Sequence, residues 1–146
     1  MSATSNYLKK WGSISGSAKL KILHAGVVLL FLKAGLTFLS FSTFRRLFYK
    51  FSKSERYNET TSKEIEETVW AVNTAANVLP IDLLCLPRAL ATKYLLRHVP
   101  ALSLEIGIEI NPAKAFEAHA WVEKEGEIII GDWSGSVSYQ RLWVWE

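Results

Sequence analysis

The hydrophobic pattern along the chain changes its period twice. Residues 22–44 form a nearly continuous apolar stretch in which only Lys33, Thr37 and Ser40 share a narrow polar stripe at helical spacing. A helix is expected there, buried against the rest of the protein or laid in a membrane interface. Residues 50–63 are polar and read as a connection. Thr61 followed by Glu64 is a capping box, and it begins an amphipathic helix with the stripe Ile65, Val69, Val72, Ala76 and Leu79, ended by Pro80. A further helix is expected from near Leu84 or Cys85, with Pro87 tolerated in its first turn, until His98 and Pro100 stop it.

Beyond Pro100 the period becomes two. Leu102, Leu104, Ile106, Ile108 and Ile110 alternate with Ser103, Glu105, Gly107 and Glu109, the pattern of a half-buried strand broken by Asn111 and Pro112. Residues 116–123 and 127–133 read as two more strands joined by a turn at Lys124, Glu125 and Gly126, and residues 139–145 as an edge strand. The order of helices followed by an antiparallel sheet predicts an α+β fold. Residues 1–60 read as a basic, apolar helical segment with its linker and residues 61–146 as the core, within one compact domain.

Charge divides the chain in the same place. Residues 1–57 carry ten Lys or Arg against one acid, whereas residues 58–146 carry seven against thirteen. Most of the basic residues flank the apolar stretch: Lys9, Lys10, Lys19 and Lys21 before it, Arg45, Arg46, Lys50 and Lys53 after it. That arrangement suits an anionic membrane surface and argues against nucleic acid, which is met by basic residues interleaved with aromatics on a folded face. A spanning helix is penalised by Lys33, since a charge at mid-bilayer costs roughly 2.5 to 3.5 kcal/mol. No small-x-small cleavage site follows the stretch, so the chain is expected in the cytoplasm, associated with a membrane through residues 22–44 or using them as core.

The single cysteine, Cys85, excludes an internal disulfide and a cysteine-rich zinc module, and the three histidines lack metal-ligand spacing. No nucleotide-binding loop is present, so neither metal nor cofactor is expected. Cys85 falls at a predicted helix N-terminus, where the helix dipole favours a thiolate, the nucleophilic form. A tight turn at Glu125 and Gly126 pairs residues equidistant from it: Val122 with Ile129, Trp121 with Ile130, His119 with Asp132. His119 and Asp132 would then be cross-strand neighbours, able to act as base and orienting carboxylate. The alternatives are a buried, inert Cys85, a structural His119–Asp132 ion pair, and tryptophans, Trp121 and Trp133 among them, that serve packing only.

The strings Cys85-Leu86-Pro87-Arg88-Ala89-Leu90-Ala91, Phe116-Glu117-Ala118-His119-Ala120-Trp121-Val122-Glu123 and Gly131-Asp132 resemble the transglutaminase-like leader peptidases of lasso-peptide biosynthesis, over about residues 20–140. The resemblance implies a transglutaminase-like, papain-like fold and a cysteine protease that removes the leader from a ribosomally made precursor. Cys85 matches the nucleophile, His119 the general base and acid, and Asp132 the third triad member. Residues 1–60 show no leader-recognition pattern, so the resemblance is to the split form, whose partners are the precursor peptide, a separate leader-recognition protein and the ATP-using cyclase. Acyl transfer to an amine on the same triad, and a non-catalytic membrane-associated peptide scaffold, are the competing readings.

Overall fold

The computed structural model describes residues 9–109, 117–133 and 139–146. The expected endpoints Ile110, Asn111, Pro112 and Phe116 lie outside the described residues. Four helices of eleven residues or more precede a four-stranded antiparallel sheet, so the α+β order stands.

The apolar N-terminal stretch makes two helices, not one. Helix α1 (Gly16–Phe38) is capped by Ser15, which accepts the amide of Ala18, and ends where Leu39 turns extended. Helix α2 (Phe41–Ser52) begins at once, because the Ser40 hydroxyl accepts the Thr43 amide. A serine inside an apolar run thus acts as an N-cap, and the connection expected from residue 50 starts only after Ser52. Ile22, Ala25, Val28 and Leu29 of α1 are buried, while Leu20, Leu23, Val27, Leu30, Phe31 and Phe38 are exposed. One side of α1 is therefore core, and the other is an apolar surface. In α2, Phe44 stacks on Phe48, which meets Trp145 of the sheet at 5.6 Å between ring centroids. Burying each phenylalanine contributes about 2 kcal/mol.

Helix α3 (Ser62–Val78) carries the full capping box, with Thr61 and Glu64 each satisfying the other's backbone amide. Helix α4 (Cys85–Leu95) packs between α1, α3 and the sheet, with Ala89, Leu90 and Ala91 buried.

The strands are β1 (Leu102–Glu109), β2 (Ala118–Lys124), β3 (Glu127–Ile130) and β4 (Tyr139–Trp145), ordered β3-β2-β1-β4. Leu104 opposes Val122 and Ile106 opposes Ala120, and these residues belong to or pack against the core shared with the helices. The alternate residues His119, Trp121 and Glu123 share the other face with Gly107 and Glu105. There Arg141 donates to Glu123 at 2.6 Å and lies 3.4 Å from Glu105. Gly107 opposes His119, and a side chain at that position would meet the Trp121 ring at 2.9 Å.

The β2–β3 register differs from the symmetric expectation. Lys124 pairs with Glu127 and Glu123 with Ile128 around a Glu125–Gly126 turn, both residues at positive φ, as expected. Val122 then pairs with Ile130 instead of Ile129. Ile129 is the extra residue of a β-bulge, which shifts everything after it by one position. The strand ends at Ile130, short of the expected residue 133, because Gly131 turns to φ +87°.

Candidate active site

Cys85 is the first residue of α4, and the N-cap, Leu84, offers no side-chain hydrogen bond. The amide groups of the first helical turn therefore have no capping side chain and face the region beside the thiol. Arg88, one turn on, braces this helix start. Its guanidinium donates to the Leu83 carbonyl at 2.8 Å and, across to α3, to Asn73 at 3.1 Å and Asn77 at 2.8 Å. Asn73 and Asn77 lie four residues apart, hence on one face of α3. Nothing local in the sequence marks this brace, since the asparagine partners of Arg88 sit on another helix.

A cavity of about 400 Å³ lies between α3, the start of α4 and the end of β3, and Cys85, His119 and Asp132 all line it. The three residues singled out in the sequence are thus brought to one site. Their connections differ from the expected pairing. His119 Nε2 lies 2.5 Å from the Gly131 carbonyl oxygen, not on the Asp132 carboxylate. A carbonyl oxygen can only accept, so Nε2 carries the proton and Nδ1 is the basic nitrogen of the neutral ring. Asp132 accepts the backbone amide of Trp133 at 2.9 Å. Among the described residues, no hydrogen bond joins His119 to Asp132 or to Cys85. The bulge at Ile129 is the reason for the first, because it moves Asp132 one position away from its place opposite His119.

The tryptophans do more than pack. The His119 ring lies parallel to Tyr139 at 5.0 Å and to Trp121 at 6.1 Å, with the edge of Trp133 at 5.8 Å. Tyr139 and Trp121 are themselves 6.2 Å apart, so the three rings form one cluster that limits rotation of the imidazole and attracts it when it is protonated. The Tyr139 hydroxyl is held above the ordinary tyrosine range, first by burial, then by the charges of Glu117, Glu109 and Cys85. Tyr139 had no distinguishing signal in the sequence.

A cysteine at the start of α4, a histidine of β2 and an aspartate just after β3 thus line one cavity between helices and an antiparallel sheet. The chain belongs to the transglutaminase-like superfamily, whose family model matches residues 28–144, from the middle of α1 to the last strand. Members of that superfamily are typically cysteine proteases or acyltransferases. No curated protein and no solved structure matches the chain.

Proposed function

We propose that this protein is a cysteine peptidase that removes the leader from a ribosomally made lasso-peptide precursor. The observation that carries the reading is the shared cavity, in which a helix-N-terminal thiol, a histidine of fixed tautomer and an aspartate meet. His119 Nδ1 takes the thiol proton of Cys85 as the sulfur attacks the scissile carbonyl carbon, forming the carbon–sulfur bond of a tetrahedral adduct. Collapse breaks the carbon–nitrogen bond, and His119 delivers its proton to the departing amine. Water, deprotonated by His119, then hydrolyses the thioester to the leader carboxylate and regenerates the thiol. The backbone amide of Cys85 supports the oxyanion. Substrate binding brings Nδ1 and the sulfur together, since catalytic hydrogen bonds are commonly long in free enzymes. Asp132 is the third member: it accepts the Trp133 amide in the turn that presents the Gly131 carbonyl to His119, and it lines the same cavity.

The partners of this reaction are the precursor peptide, a separate leader-recognition protein and the cyclase that closes the new N-terminus. Incubation of the purified chain with precursor and recognition protein, read by mass, should yield the leader and core products, and Cys85→Ala should yield neither. Cleavage by Cys85→Ala overturns the peptidase reading. A product heavier by an added amine would assign acyl transfer instead. A Cys85 that iodoacetamide alkylates no faster than an ordinary buried thiol would favour the non-catalytic scaffold.

The same reading places the protein in the cytoplasm, at the membrane surface. Helix α1 is long and apolar enough to cross a bilayer, but its buried side is committed to the core. Its outer stripe, with Arg45, Arg46 and Lys50 of α2 and Lys53 just after it nearby in sequence, suits an anionic interface. Sedimentation with phosphatidylglycerol vesicles should carry the chain down at low salt and release it as salt screens the attraction. A chain that stays in the supernatant at low salt overturns this placement.

A further inference from the structure

Resting on the peptidase reading, we infer that the groove between α3 and β3 binds the substrate as an added β-strand, with apolar residues next to the scissile bond and a basic residue at the far end.

A second cavity, of about 650 Å³, adjoins the catalytic one, and both are walled by Val69, Ile128 and Ile129. These shared residues set the two cavities end to end along one groove. Its floor is a single stripe of α3, Glu66, Val69 and Asn73, at the three- and four-residue spacing of one helix face. Asn73 stands at the catalytic end and Glu66 at the other. The opposite wall is β3, which is the edge strand of the sheet and pairs only with β2 among the described residues. An edge strand presents backbone donors and acceptors that an extended peptide can pair with. The four residues of β3 give room for about four residues of such a peptide at about 3.4 Å each.

The two ends of the groove differ in character. Near Cys85 its walls are mostly isoleucines, valine and alanines, with Asn73, Arg88, His119 and Asp132 as the polar lining. Further along, Trp70 is 44% exposed, and the mouth carries Glu66, Glu125 and Glu127 against one cation, Lys124, which is itself paired with Glu125 at 3.1 Å. An exposed tryptophan flanked by carboxylates suits an apolar residue followed by lysine or arginine. Continuity with the catalytic cavity makes the substrate peptide the occupant, because any peptide held along β3 has its end at the thiol.

The probe is a fluorescein-labelled decapeptide alternating Leu and Ser, made with two Lys or two Glu at either terminus, and the protein is the full chain carrying Cys85→Ala. Fluorescence anisotropy should show one Lys peptide bound at least ten-fold more tightly than its Glu counterpart. The double variant Glu66→Lys, Glu127→Lys should reverse that order, and Trp70→Ala should weaken both peptides several-fold. N-methylation of alternate amides in one register should abolish binding, while the other register is tolerated. Peptide affinities unmoved by the charge reversal or by either methylation pattern overturn the inference, even where precursor cleavage depends on Cys85. The expected pattern in a protein that cleaves no peptide supports the groove and removes the peptidase reading.

Discussion

His119 Nε2 and the Gly131 carbonyl oxygen are 2.5 Å apart, a bond that links the strand bearing the candidate base to a backbone turn. The orienting acceptor is therefore a main-chain atom, held in place by conformation and not by side-chain identity. Gly131 has φ +87°, and a Cβ there would lie 2.7 Å from the Ala120 carbonyl oxygen and 2.9 Å from Trp121 Cβ. Only glycine satisfies both conditions without moving β2.

Gly131→Ala should accordingly cost about 2 kcal/mol of stability and more activity than that loss explains, since the His119 acceptor moves. Gly126→Ala is the control: its φ is +86° but nothing lies within 4 Å of the added carbon. It should cost about 1 kcal/mol and leave precursor cleavage unaltered. Denaturant unfolding beside the cleavage assay checks both. Equal activity in the two variants would show that the Gly131 carbonyl has no catalytic part.

At Asp132, the hydrogen bond to the turn and the carboxylate charge separate by substitution. Asn retains an oxygen for the Trp133 amide and loses the charge, whereas Ala loses both. Asp132→Asn should slow cleavage about ten-fold, equivalent to roughly 1.4 kcal/mol, and Asp132→Ala should slow it by a further order of magnitude with KM little changed. Steady-state kinetics on the two variants decide the matter, and identical rates for Asn and Ala would remove the turn-fixing role.

Arg88 should behave as a positioning residue. Arg88→Met removes three hydrogen bonds at the start of α4 and should cost about 2 kcal/mol or more in thermal or denaturant unfolding. Cys85 alkylation should change as well, because the helix start loses its brace. Arg88→Lys should not restore either, since an ammonium cannot span the Leu83 carbonyl and two asparagines of α3 with a planar fork.

Lys93 supplies a pH signature. Its ammonium is buried, donates to the Leu102 carbonyl, and is held below the ordinary lysine value of 10.5 mainly by loss of solvation, with Glu146 opposing in part. Between that lowered value and 10.5 the unfolded chain binds more protons than the folded one, so stability rises with pH in that window. Tyr139, held above 10.0, acts in the opposite direction at higher pH, where its unfolded phenol ionises first. Urea titrations at several alkaline pH values below 10 should show the rise, and Lys93→Met should flatten it.

Much of this protein was legible in its sequence because local rules governed it. The Thr61–Glu64 capping box, Pro80 and the start of α4 at Cys85 depend on residues within a turn of one another, and the structure shows all three boundaries within two residues of the expected positions. The alternation from Leu102 onwards determined β1, and Glu125–Gly126 determined the hairpin turn, because side-chain period and positive φ are properties of the strand itself. Cys85, His119 and Asp132 were legible as types of residue able to do thiol chemistry. Tertiary structure decided what they touch. The Ile129 bulge has no signature in a run of three isoleucines, yet by inserting one residue it moved the His119 acceptor from the Asp132 carboxylate to the Gly131 carbonyl. Arg88, Asn73 and Asn77 meet only because α3 and α4 pack together, and Tyr139 reaches His119 from the far end of the chain. The apolar stretch likewise did not reveal in advance which of its residues would be buried: period determines a helix face, but the helices packed against α1 decide which face is covered.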